Sequence, residues 1–162
     1  MIGFISYLVN GISLGSVYAL IALGYTMVYG IAKMLNFAHG DVIMIGAYVA
    51  FTAVSGMGMP PVVGVLLSVV ACTVLGVLIE RIAYKPLRKA SKLAVLITAI
   101  GVSYFLQNVA LLIYGANTKS FTSVVTIPAL KLMDGKLVIS GETIVTVVAC
   151  LIIMAGLMTF MK

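Results

Sequence analysis

"VIMIGAYVAFTAVSGMGMPPVVGVLLSVVACTVLGVLI", residues 42–79, contains neither a charged residue nor a histidine. One helix of that length would measure about 57 Å at about 1.5 Å per residue, nearly twice the roughly 30 Å of bilayer hydrocarbon. The segment "GMGMPP" at 56–61 removes the difficulty, because two prolines and two glycines favour a tight turn. The stretch therefore reads as two membrane crossings joined by a short connection.

Working outward, three more stretches lack charge and histidine: 1–32, 93–118 and 143–161. Each is long enough for a span, which takes roughly 20 apolar residues. The spacing predicts helices over about 5–30, 40–56, 62–80, 93–114 and 143–161, the second being the shortest. Composition agrees: 63% of the 162 residues are hydrophobic and 9% charged, against about 25% charged in a soluble domain. The expected fold is an all-α integral membrane protein of about five transmembrane helices.

Lysine and arginine set the expected orientation, since short cytoplasmic loops are enriched in them. "RIAYKPLRKASK", residues 81–92, holds Arg81, Lys85, Arg88, Lys89 and Lys92, while the turn at 56–61 holds none. That places 81–92, Lys33 and Lys162 inside, and the N-terminus and residues 115–142 outside. The basic loop reads as a topology determinant facing anionic headgroups rather than a nucleic-acid site. Met1 to Asn10 carries no basic residue, so the first helix reads as retained and not as a secretory signal. A last span ending at Lys162 with no polar tail suggests that the natural polypeptide continues.

Within the outer region, Asp134-Gly135 between "KLM" and "KLVI" is a hairpin signal, both central turn positions preferring positive φ. It offers either a contact for another protein or a self-contained lid. Cys72 and Cys150 each fall inside a span and read as small buried residues, with no disulfide and no metal site.

Helices in lipid gain little from hydrophobic contact with one another, so close approach through small residues must supply their association. Gly11 and Gly15 in the first span, and Gly64, Ser68, Cys72 and Gly76 in the third, follow steps of four and are candidates for helix packing.

Polar residues in the spans narrow the functional question. Ser103 and Gln107 lie one turn apart on one face, with Asn108 beside them. They can hydrogen-bond between helices or form a polar wall along a substrate path. Asn36, His39 and Asp41 cluster in "MLNFAHGDVIMIGAY", residues 34–48, which the topology puts at the cytoplasmic end of the second helix. Asp41 can cap that helix and Asn36 can form an Asx-turn. The same residues can instead mark a helix break that lines a cavity, a device of transporters. Nothing in the sequence indicates catalysis: no nucleophile accompanies His39 and Asp41, and neither a metal-ligand cluster nor a phosphate-binding glycine loop is present.

Three blocks, "NGISLGSVYALIALGYTMVYGIAKMLNFAHGDVIMIGAY" (10–48), "IERIAYKPLR" (79–88) and "LITAIGVSYFLQN" (96–108), together resemble the permease of branched-chain amino-acid ABC importers, the LivH type. The match is collinear over nearly the whole chain. The resemblance implies that residues 1–162 are the N-terminal part of a single transmembrane permease domain in the bacterial inner membrane. It implies import of leucine, isoleucine and valine, with a second permease subunit, two cytoplasmic ATPase subunits and an extracytoplasmic solute-binding protein as partners. This chain would bind no cofactor, ATP being bound by the partner subunits, and the coupling segment that docks on them would lie beyond Lys162. Asn36, His39, Asp41, Ser103, Gln107 and Asn108 are then candidates for the translocation path. Two other readings stay open: a proton-coupled secondary transporter with His39 and Asp41 as titrating groups, and a non-transporting membrane scaffold.

Overall fold

The computed structural model describes residues 2–121, 130–132 and 137–160. Five α-helices account for most of them: α1 (Ile2–Ala32), α2 (His39–Phe51), α3 (Pro61–Ile79), α4 (Lys92–Tyr114) and α5 (Gly141–Phe160). Two short strands, β1 (Leu130–Leu132) and β2 (Leu137–Ile139), pair antiparallel with Leu132 opposite Leu137. The Asp134-Gly135 turn lies outside the described residues.

Four segments are long and apolar enough to cross a membrane: Gly3–Ile31, Pro61–Leu87, Lys92–Tyr114 and Gly141–Phe160. The chain is a helical membrane protein, and its exposure pattern fits lipid or partner contact: residues such as Phe4, Tyr7, Leu112 and Phe160 are largely exposed. The second expected span is the exception in length. α2 has 13 residues, and a π-helical turn at Thr52–Gly56 carries it on to the glycine-proline connection. Pro60 and Pro61 begin α3 where a proline costs no intrahelical hydrogen bond. A second π turn, Glu80–Tyr84, continues α3 into the basic segment.

The chain forms two compact units. One comprises residues 1–27 and 123–162; in it the Cys150 thiol points to the Ser16 carbonyl oxygen at 3.4 Å. The other, residues 28–122, holds α2, α3 and α4. Its core gathers Ala38, Ile79, Tyr84, Val95, Ala99 and Leu106.

In this second unit α2 lies against α3 with almost no side-chain layer between their backbones. The Ser68 hydroxyl donates to the Gly46 carbonyl at 2.8 Å, and the Cys72 thiol points to the Val42 carbonyl at 3.4 Å. A Cβ at Gly46 would stand 2.5 Å from Cys72 Sγ, and one at Gly64 would stand 2.6 Å from Val54 Cγ2. Small residues every fourth position thus give α3 a flat face, as helix packing in lipid requires. Gly64 meets this description. At Gly11, Gly15 and Gly76 an added Cβ would find nothing within 4 Å among the described residues.

Candidate functional site

α1 ends at Ala32, and Lys33 adopts φ 54°, the left-handed conformation that commonly closes a helix but that glycine fills more cheaply. α2 does not begin until His39. Between the two helices, Asn36 folds the chain locally: its Oδ1 accepts from the Ala38 amide at 3.1 Å, the expected Asx-turn, and its carbonyl accepts from the His39 amide at 3.2 Å. The same Oδ1 also accepts from the Tyr84 hydroxyl at 2.7 Å. Ala38, with no exposed surface, and Tyr84, at 8%, pack in the core there.

Asp41 does not cap α2, contrary to expectation. The N-cap is Ala38, without a side-chain hydrogen bond. The Asp41 carboxylate turns instead to α4, where Oδ2 accepts from the Ser103 hydroxyl at 2.5 Å and Oδ1 from Gln107 Nε2 at 3.0 Å. Gln107 Nε2 also reaches Ser103 Oγ at 3.2 Å, closing a three-membered network. The carboxylate has only acceptors to offer when ionised, so the amide nitrogen is the end of Gln107 that chemistry turns towards it. Asp41 itself is 8% exposed, whereas Gln107 is exposed.

The level of this network corrects the reading that placed Asp41 at the end of a span. Ser103 is the middle residue of α4, equally far from Lys92 and from Tyr114. At about 1.5 Å per residue it stands roughly 16 Å from either end, half the thickness of the hydrocarbon layer. α2 therefore starts beside the middle of a membrane-length helix. α3 tells the same story: Val42 is level with Cys72, yet α3 and its π turn run on well past that level to Tyr84. The link at 33–38 runs from near that level to the end of α3, where Asn36 meets Tyr84 and Ala38 packs beside Ile79 and Val95.

An ionised aspartate at mid-membrane costs about 2.5–3.5 kcal/mol on insertion scales. Hydrogen bonds to a charged group contribute about 1.5–3 kcal/mol each, so the two from Ser103 and Gln107 offset much of that cost. The other end of α2 is fixed as well. Tyr48 stacks on Tyr114 with ring centroids 4.1 Å apart, and the Thr52 hydroxyl lies 3.3 Å from the Tyr114 hydroxyl.

Of the six candidate path residues, the structure brings Asp41, Ser103 and Gln107 into direct contact. Asn36 lies shortly before the start of α2, hydrogen-bonded to Tyr84, and His39, partly buried, is the first residue of that helix. Asn108 stays apart: its amide donates to the Tyr104 carbonyl of its own helix at 2.7 Å. Tyr84 is the participant that sequence reasoning missed. Its signal was a tyrosine among charged residues in "IERIAYKPLR", an aromatic body with a hydroxyl that needs a partner when buried.

Two other features stand outside this network. An open groove of about 570 Å³, lined by residues including Val49, Ala53, Val70, Val74 and Tyr114, is apolar and does not include Asp41. Arg88 and Glu80 form an exposed ion pair at 2.6 Å in the basic segment, a geometry that contributes little to stability in water.

Comparison with known proteins places these residues in context. The family described as "Branched-chain amino acid transport system / permease component" matches residues 7–162. The chain is similar to the high-affinity branched-chain amino acid transport system permease protein BraD of Pseudomonas aeruginosa, with 42% identity over 170 residues that cover 98% of this chain and 55% of that protein. It is 44% identical over 128 residues to the LivH permease proteins of Salmonella typhimurium and Escherichia coli, covering 74% of this chain and 42% of theirs. The chain thus spans about half the length of the curated relatives it matches. No solved structure matches.

Proposed function

Because this chain belongs to the family of branched-chain amino acid transport permeases, we propose that it forms the N-terminal part of the membrane subunit of an ATP-driven importer of leucine, isoleucine and valine in the bacterial inner membrane. The observation that carries the reading furthest is the Asp41–Ser103–Gln107 network, because it sets a hydrogen-bonded carboxylate at the start of α2 and beside the middle of α4. Intramembrane ionisable residues are rare and mark substrate pathways and proton relays. A discontinuous helix beside a polar site at mid-membrane is a recurring way of building a transport path.

In this reading the path runs past Asn36, His39, Asp41, Ser103, Gln107 and Asn108, between apolar walls that suit an aliphatic side chain. The N-terminus and residues 115–142 face the outside, and residues 81–92 face the cytoplasm. A second permease subunit completes the path, two cytoplasmic ATPase subunits bind and hydrolyse the ATP, and an extracytoplasmic binding protein delivers the substrate. The chain itself performs no catalysis and holds no cofactor.

Uptake of radiolabelled leucine by the complete permease, expressed with its partner subunits in cells lacking other branched-chain uptake, tests this. Uptake that follows cellular ATP and survives a protonophore supports the importer. Uptake that collapses with the protonophore at constant ATP would replace it with a proton-coupled carrier, and absence of uptake with a properly assembled complex would favour the scaffold.

A further inference from the structure

Among the described residues the Asp41 carboxylate accepts two hydrogen bonds and keeps acceptor capacity beyond them. Each carboxylate oxygen offers two lone pairs, and among the described residues one donor reaches each: Ser103 Oγ at Oδ2, Gln107 Nε2 at Oδ1. Both donors are neutral. The chain has no lysine or arginine between residues 34 and 80 or between 93 and 118, so α2, the body of α3 and the body of α4 bring no fixed cation of that kind to the carboxylate. The ionisable groups of that sign closest in sequence are Lys33, in the link before α2, and His39, in the first turn of α2. The ion pair among the described residues, Arg88 with Glu80, lies in the basic segment instead.

Exposure shows on which side the network is uncovered. Asp41 is 8% exposed, Ser103 is partly buried and Gln107 is exposed, so the network opens on the face of α4 that bears Gln107. On that face Ser103 and Gln107 are the polar residues, flanked at helical spacing by exposed Ile100, Tyr104 and Leu111. Resting on the transport reading above, we propose that the Asp41 carboxylate, held between Ser103 and Gln107, receives the ammonium group of the passing amino acid and so selects substrates that carry an amine.

The chemistry of the exchange is direct. An ammonium offers three donors and a full positive charge, and it meets the open acceptor positions of Asp41 while Ser103 and Gln107 keep theirs. Charge-assisted hydrogen bonds of this kind are about twice as strong as neutral ones. Because Ser103 and Gln107 hold the carboxylate in place beforehand, little rearrangement is needed as the amine arrives. When it leaves, the two neutral donors still satisfy the carboxylate, so the site can release what it has held. A 2-oxo acid with the same aliphatic chain keeps the carboxylate but lacks the ammonium, so it brings a net negative charge and no donor to Asp41 and is rejected.

The test uses the complete permease with its partner subunits in lipid nanodiscs, without the binding protein. Saturation-transfer NMR compares isopentylamine with 4-methyl-2-oxopentanoate, two molecules that share leucine's side chain but keep only its amine or only its carboxylate. The expected result is transfer to the amine, displaced by leucine, and none to the oxo acid. Transfer to the oxo acid, or none to the amine, overturns the ammonium assignment while leaving the transport reading in place. In uptake assays Asp41→Asn, similar in size and still able to hydrogen-bond both neighbours, is expected to lower leucine transport about tenfold to a hundredfold, and Asp41→Glu to retain most of it. Wild-type rates with Asp41→Asn overturn the assignment. A wild-type complex that moves no branched-chain amino acid overturns the transport reading itself.

Discussion

Tyr84 donates its hydroxyl to Asn36 Oδ1 at 2.7 Å, tying the break before α2 to the π turn that ends α3 across 48 residues of sequence. Replacing Tyr84 by phenylalanine keeps the buried ring and removes the donor, while Asn36 still accepts from the Ala38 amide. A net loss of about 1 kcal/mol is expected. Thermal unfolding of the purified complete permease should show a lower midpoint for Tyr84→Phe; an unchanged midpoint would show that the hydrogen bond adds nothing to the break.

The contact between α2 and α3 predicts a size limit at Gly46. Gly46→Ala drives a methyl to 2.5 Å from Cys72 Sγ, an overpacking that costs about 1–3 kcal/mol. Adding Cys72→Ala removes that sulfur and should restore part of the loss. Folded yield and melting point of the single and double variants measure the coupling, and independent, additive effects would mean that the two residues do not meet as described.

Gly64 and Gly76 lie on the same helix and should respond differently. A methyl at Gly64 would stand 2.6 Å from Val54 Cγ2, whereas at Gly76 it would meet nothing within 4 Å among the described residues. Gly64→Ala is expected to destabilise the permease and Gly76→Ala to leave it within about 0.5 kcal/mol. Loss at Gly76 in the assembled complex, absent in the isolated permease subunit, would identify a face covered by a partner.

Ser103→Leu and Gln107→Leu each take one donor from a carboxylate that is 8% exposed. Each is expected to cost roughly 1.5–3 kcal/mol in stability, as loss of a hydrogen bond to a charged group does, and to reduce leucine uptake. Normal uptake by both variants would remove Ser103 and Gln107 from the path.

Much of this arrangement was legible in the sequence, because its determinants are local. The uncharged lengths marked the helices to within a few residues, since a bilayer imposes a minimum span. The step of four from Gly64 through Ser68 to Cys72 marked a close-packed face, and the one-turn spacing of Ser103 and Gln107 marked a shared one. The level of Asp41 was not legible. It depends on how far α3 and α4 extend past the start of α2, and hydropathy places a charged residue at a span's edge because it assumes that helices begin together. Asp41 looked like a cap for the same reason: a carboxylate in a first turn fits a local rule, and here a partner far along the chain, Ser103, wins. Tyr84 escaped because its partner, Asn36, is also remote in sequence, 48 residues earlier and before α2 begins.

The double anchorage of α2 bears on how this part of the protein can move. Tyr114 grips one end of the helix, Ser103 and Gln107 hold the other, and α3 is fastened along its length through Ser68 and Cys72. α2, α3 and α4 are therefore braced as one stiff block. The link at 33–38 is held by the Asn36 turn and by Tyr84 rather than by a helical ladder, and it belongs to the same compact unit. Through Tyr84 the π turn that ends α3 is tied to the same link, so a change at either one is felt by the other.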